Sequence, residues 1–459
     1  MIPAMGSIQA IFKTSPNPVS SWGELGALDL ATRLSHEARD ASLSEELLVE
    51  NNSTLVRLIN KIFMDAIEQK ASDIHFESNA GRQDLHIRFR KDGILIAYLD
   101  IPSRFRSSVV SRIKVMAQLD ITERRKPQDG KIDFSRFGPC NVELRVAIIP
   151  TRDGLEDIVL RVLAEASALS IDQLGLEAGT LLKLRSLIAK PQGLFLVCGP
   201  TGSGKTTTLH SLLGQLNDGE SKIWTAEDPI EITQPGLRQV QVNAKIGWTF
   251  AAALRSFLRA DPDVVMVGEI RDAETAKIAI EASLTGHMVF STLHTNSAAE
   301  SIVRLLDLGL DPFNFADGLT SILSQRLARR LCDACKQPHV LAEAEARLMF
   351  SEYCDGTSIA PATVLAAWRR QYANPKGDIV LYVAKGCPDC DHMGYKGRIG
   401  LYELLVADAN VKALVQRRAQ VTEVKASASA AGMRSLKQDG IERVLCGFTD
   451  MYQVRATCG

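Results

Sequence analysis

No run of about 18 uninterrupted apolar residues occurs in this 459-residue chain, so it has no sequence long and nonpolar enough to cross a bilayer as a helix. The opening residues, MIPAMGSIQAIFKTSPNPVSS, hold one lysine and only short apolar patches, which does not make a signal peptide. Both absences lead us to expect a cytosolic protein. Neither charge is in excess: 53 Lys and Arg face 54 Asp and Glu, a formal net charge of -1. A dedicated nucleic-acid binder usually carries a basic surplus, and an aromatic-basic stacking run is missing too. Internal repeats and low-complexity tracts are also lacking. Nine cysteines in so long a chain are too few for a disulfide scaffold, but four of them fall in two CxxC pairs, which in a reducing compartment read as metal ligands.

What is present is ordinary soluble-protein composition, 46% hydrophobic and 23% charged, in a chain long enough for two or three domains. Residues 1–52 read as a mobile or loosely docked arm, with a short helix in SLSEELLVENNS. From residue 53 the apolar positions Leu55, Leu58, Ile59, Ile62, Phe63 and Ala66 recur at helical spacing and open an α+β domain over 53–163. There DLHIRFRKDGILIAYLDI reads as a hairpin around Asp92-Gly93, and VELRVAII and DIVLRVL place Arg145 and Arg161 inside otherwise apolar strands. A linker is expected at 164–172, and then strands and helices alternate over 173–331. A cysteine-bearing segment, 332–403, and a helical region, 404–459, complete the chain.

The run GLFLVCGPTGSGKTTTLHSLL sets a phosphate-binding loop between a buried strand and a helix. Gly199, Pro200, Thr201, Gly202, Ser203 and Gly204 let backbone amides wrap the phosphates, Lys205 reaches the β- and γ-phosphates, and Thr206, with Thr207 beside it, offers a hydroxyl to Mg²⁺. The strand VVMVGEIRD ends in Gly268 and Glu269. A Walker B strand usually ends in Asp where Gly268 stands, so activation of water falls to Glu269, and metal duty falls to it or another acid. IWTAEDPIEI offers Glu227, Asp228 and Glu231. TGHMVFSTLHTN offers His294 at a strand end, and His287 at a strand start with a structural role equally open.

GPTGSGKTT, AEDPIE, VGEIRD and TGHMVFSTLHTN, in this order, resemble the Walker A, Asp box, Walker B and His box of the type II secretion and type IV pilus-assembly ATPases. SDIHFE, RFRKDG, ITERRKPQDGK, GCPDCDHMGYKGRIGLYELL and AGMRSLKQDGIERVLCG extend the resemblance over about residues 54–450. It implies an α/β fold: a RecA-like P-loop ATPase domain preceded by a smaller, PAS-like α+β domain, with a tetracysteine zinc module and a helical C-terminal tail. It further implies a homohexamer that binds ATP and Mg²⁺ between the two domains. Such a motor would be cytoplasmic and peripheral at the inner membrane, working on a platform protein and its recruiting cytoplasmic domains. Arg145 matches a basic residue expected to reach the phosphates. Lys131 stands where the family often has Arg, supplying charge without the bidentate fork. Cys332, Cys335, Cys387 and Cys390 would hold one structural Zn²⁺, which the resemblance supports more than the 51-residue gap does, Cys354 and His339 lying inside that gap. The competing class is a DNA-uptake or conjugation motor with a zinc ribbon on the same kind of core.

Overall fold

The computed structural model describes residues 26–40, 54–81, 83–163, 168–355 and 361–458. The chain divides into two compact units, Met1–Ala164 and Glu165–Gly459. The helix expected in SLSEELLVENNS and residues 164–167 of the expected linker lie outside the described residues.

In the first unit, β1 (Asp73–Glu77), β2 (Leu85–Lys91), β3 (Ile94–Ile101), β4 (Gln128–Asp133), β5 (Glu143–Pro150) and β6 (Glu156–Leu163) form a six-stranded antiparallel sheet in the order β3-β2-β1-β6-β5-β4. Asp92 and Gly93 both take positive φ, 47° and 84°, the backbone a tight two-residue hairpin needs. Alternation sends Ile74, Phe76, Ile87, Phe89, Leu144 and Ile158 into a core shared with the helices Thr54–Glu68 and Arg106–Met116. On the alternate positions a rung crosses five strands: Lys131 opposite Arg145, Arg145 opposite Arg161, Arg161 opposite Asp73, Asp73 opposite Arg90.

The expected loose arm is corrected in part. Residues Ala27–Asp40 form a helix, and its Ala27, Leu30, Ala31 and Leu34 are buried in the first unit's core. Their i, i+3, i+4, i+7 spacing makes one apolar stripe, and burying each leucine is worth about 2 kcal/mol.

The second unit is built on β7 (Gly193–Cys198), β8 (Ile223–Glu227), β9 (Arg238–Gln241), β10 (Val264–Val267), β11 (Met288–Leu293) and β12 (Leu319–Leu331). Beyond a two-stranded ribbon of β13 (Gln337–Val340) and β14 (Val380–Val383) comes β15 (Tyr395–Val406), and the main sheet runs β15-β12-β7-β11-β10-β8-β9. All its pairings are parallel except β12 with β15. Every residue of β7, β10 and β11 is buried, as strands covered on both faces must be. One face packs on helices Ala178–Ile188 and Lys205–Leu216, the other on Phe250–Phe257, Ala273–Leu284 and Ala298–Asp307. Ile171, within the expected linker, and Leu174, just past it, are buried in the first of these layers. β15 pairs with β12 from Ser321 opposite Val406 to Leu331 opposite Tyr395. The cysteine segment and the helical tail are therefore continuous with the main sheet.

Candidate active site

Because β7, β8, β10 and β11 run parallel, their carboxyl ends gather at one edge of the sheet, where ligands of open α/β folds bind. β7 ends at Cys198, a fully buried thiol whose pKa burial raises. The loop 199–204 leads directly into the helix Lys205–Leu216. A Cβ on Gly199 would come within 2.5 Å of both the Gln325 carbonyl oxygen and Ser203 Oγ, and φ there is +155°. Only glycine fits that neck. Lys205 Nζ donates to the carbonyls of Gly199 (2.8 Å) and Pro200 (3.0 Å). From β12, Gln325 Nε2 donates to the Ser203 carbonyl at 2.6 Å, bracing the loop from beneath. Ser203 Oγ and Gln325 Oε1 are buried without partners among the described residues. Thr201 and Gly202 are exposed, and Thr206 and Thr207 half-buried.

Sequence reasoning missed Gln325, which lies 122 residues from Ser203 and in no recognisable motif. It also missed Arg326, whose guanidinium donates to the carbonyl and Oδ1 of Asn296 at 3.1 and 3.2 Å, tying β12 to the loop that carries His294.

Glu269 lies two residues beyond β10, its side chain only 14% exposed. One of its oxygens pairs with Arg271, and the other lies 3.3 Å from His294 Nε2. Burial lowers the pKa of Lys205 and the charge of Glu269 opposes that shift, so the ammonium and the carboxylate feel one another across the edge. At Gly268 a Cβ would stand 3.2 Å from the Ala226 carbonyl oxygen, leaving little room for the Asp often found there. Asp228 and Glu231 are exposed on the loop after β8. Glu227 is buried at the end of β8, bonded to His210, Thr225 and Gln239. His287 precedes β11, at the end of that strand remote from His294, and its Nδ1 lies 3.1 Å from the Ala282 carbonyl.

Lys131 and Arg145 are cross-strand neighbours in the first unit. Lys131 pairs with Glu143 at 3.0 Å, whereas Arg145 Nε is buried without a partner among the described residues.

Cys332, Cys335, Cys387 and Cys390 are brought together, all four sulfurs within 4.8 Å of one another. Three of the separations are 3.9 Å (Cys332 to Cys387), 3.8 Å (Cys335 to Cys390) and 3.7 Å (Cys387 to Cys390). Tetrahedral ligands at the usual Zn–S length of about 2.3 Å lie about 3.8 Å apart, so these three separations and the all-thiol donor set fit zinc. Backbone N–H groups of Cys387 and Gly394 point at Cys390 Sγ from 3.3 and 3.2 Å. Burial raises that thiol, but these two N–H groups together with the neighbouring Cys387 and Cys335 thiols bring it down to about 7, while burial pushes the Cys332 and Cys387 thiols up. His339 is engaged with Glu345 at 3.1 Å, and neither it nor Cys354 belongs to the cluster.

Residues 49–456 match the family described as type II/IV secretion system protein. Type II secretion system protein E of Pseudomonas aeruginosa is 44% identical over 430 residues, covering 94% of this chain and 80% of that protein. The type IV pilus assembly ATPase PilB of Myxococcus xanthus is 42% identical over 414 residues, covering 90% of this chain and 69% of that one. Among solved structures, the pilus retraction motor PilT with bound ADP superposes with a TM-score of 0.57 at 25% identity, covering 87% of this chain and 96% of PilT.

Proposed function

The chain belongs to the type II/IV secretion system protein family and is an ATPase of that family; on this premise we propose that it is a homohexameric motor hydrolysing ATP to drive type II secretion or type IV pilus assembly. The observation that carries the proposal is the convergence of Lys205, Glu269 and His294 at one sheet edge beside a glycine loop that admits no side chain at Gly199. The loop amides and Lys205 hold the nucleotide phosphates, and Thr206 supplies a hydroxyl ligand to Mg²⁺, which when bound neutralises phosphate charge. Glu269 takes the proton from the attacking water, and His294 orients the Glu269 carboxylate. The oxygen of that water joins the γ-phosphorus as the bond to the ADP oxygen breaks: ATP + H₂O → ADP + phosphate. Glu231, exposed beside Asp228, shares metal and water positioning. Arg145, whose Nε has no partner among the described residues, and Lys131 are the further basic residues we assign to the phosphate charge.

The four cysteines hold one structural zinc, and the 3.7–3.9 Å sulfur separations support that reading. We place the motor in the cytoplasm, peripheral at the inner membrane, acting on a platform protein and its recruiting domains. Among the described residues no helix is long and apolar enough to cross a membrane. The experiment is steady-state ATPase activity with Mg²⁺, alone, with single-stranded DNA and as Glu269→Gln, with oligomeric mass recorded in parallel. Turnover by a hexamer, indifferent to DNA and lost in the variant, supports the proposal; strong stimulation by DNA overturns it in favour of a nucleic-acid motor.

A further inference from the structure

Glu227 belongs to the acid-rich segment after β8, yet unlike Asp228 and Glu231 it is withheld from solvent, at 3% exposure. Both of its oxygens are in use. Oε2 lies 3.1 Å from His210 Nε2, and Oε1 accepts from Thr225 Oγ1 (2.6 Å) and Gln239 Nε2 (2.9 Å). Burial alone would raise this carboxyl, but the hydrogen bonds outweigh burial and hold it below its ordinary value, so it is ionised at neutral pH.

His210 is fully buried and sits on the helix that begins at Lys205, five residues along, about 7.5 Å up its axis. Gln234 Nε2 faces two atoms of this histidine: the backbone carbonyl at 2.9 Å and Nδ1 at 2.8 Å. A carbonyl only accepts, so that atom of Gln234 is the amide nitrogen, and a donor facing Nδ1 leaves the ring proton on Nε2, directed at Glu227. Gln239 Nε2 also donates to the Ile232 carbonyl (2.8 Å), and its Oε1 accepts from Gln234 N (2.9 Å). The segment 228–233, which carries Asp228 and Glu231, is thus stapled at both ends to the helix that follows the phosphate loop.

We propose that Glu227, His210 and Gln234 form a buried brace that sets the exposed acids Asp228 and Glu231 relative to the phosphate-loop helix, Glu227 acting through His210 as a positioning residue and touching neither nucleotide nor water. This rests on the ATPase reading of the site. With three donors on its two oxygens and its side chain buried, Glu227 is shielded from a metal-bound water. Displacing Glu231 by about 1 Å is enough to cost on the order of a hundredfold in rate.

The test is a double-mutant cycle on the full chain: Glu227→Gln, His210→Leu and the pair, with kcat, KM for ATP and thermal melting measured for each, and Glu269→Gln run alongside. A brace predicts that each single variant loses about ten- to a hundredfold in kcat with KM within about threefold, and that the pair loses no more than the worse single. Glu227→Gln as inactive as Glu269→Gln while His210→Leu stays near wild type overturns it, and so do effects that multiply in the pair. Should Glu227→Gln fail to fold, His210→Leu and Gln234→Leu replace it: a shared, non-additive loss supports the brace, and wild-type kcat in either overturns it. Activity surviving in Glu269→Gln would instead refute the catalytic assignment, leaving the coupling between Glu227 and His210 to be judged separately.

Discussion

Replacing Gly199 by alanine tests whether the neck of the phosphate loop is as tight as its geometry requires. The added Cβ would stand 2.5 Å from a backbone oxygen, that of Gln325, and 2.5 Å from Ser203 Oγ. Gln325 cannot retreat easily, because β12 is paired with β7 on one side and β15 on the other. Overpacking typically costs about 1–3 kcal/mol and a strained φ about 1–3 kcal/mol more, so the loop conformation should be disfavoured by about 2–6 kcal/mol. At about 1.4 kcal/mol per factor of ten, nucleotide affinity should fall by at least about thirtyfold and by up to about ten-thousandfold. Gly202→Ala is the internal control: φ is +78° and nothing lies within 4 Å of its Cβ, so only about 1 kcal/mol of backbone strain and about a fivefold loss are expected. Titration with a fluorescent ADP analogue at fixed Mg²⁺, with melting curves to confirm folding, reads both variants. Equal losses would refute the steric argument, as would a Gly199→Ala variant that binds like wild type.

Three further outcomes follow from the structure. Purified protein should carry about one zinc per chain by elemental analysis, and Cys387→Ser should lose it together with several degrees of thermal stability; metal-free protein with unchanged melting would refute the site. Lys114 and Glu156, 1% and 4% exposed and 2.6 Å apart, form a buried ion pair in the first unit. Glu156→Gln should destabilise that unit by about 3–5 kcal/mol in denaturant titrations, while the double replacement Lys114→Met with Glu156→Leu should recover most of the loss. The folded-state pKa of Glu227 lies below its ordinary value, so its stabilisation is present above the unfolded pKa of about 4.3 and is lost as pH falls through the folded one. The melting-temperature gap between wild type and Glu227→Gln should therefore be widest near neutrality and narrow in acid; a gap independent of pH would refute the linkage.

Legibility in the sequence followed the range of the interaction. The phosphate loop could be read because strand, glycines, lysine and helix are contiguous, each acting on neighbours a few residues away. The hairpin at Asp92-Gly93 and the stripe of the Thr54–Glu68 helix were legible for the same reason. The helix Ala27–Asp40 was not, because its apolar stripe is short and half alanine, and only the core it packs against makes burial favourable.

The sequence by itself determined the chemistry available to this protein: a loop whose glycines and Lys205 suit phosphate, acids at strand ends, and two thiol pairs. Tertiary structure alone decided which of these groups meet. Parallel pairing of β7, β10 and β11 put His294 3.3 Å from Glu269 and sent His287 to the opposite end of its strand. Pairing of β12 with β15 closed a 51-residue gap into a four-sulfur cluster, and pairing of β12 with β7 set Gln325 against the phosphate loop. Burial separated Glu227 from Glu231, two acids the sequence presents alike, because a buried carboxylate must be fully hydrogen-bonded whereas an exposed one is left free to react.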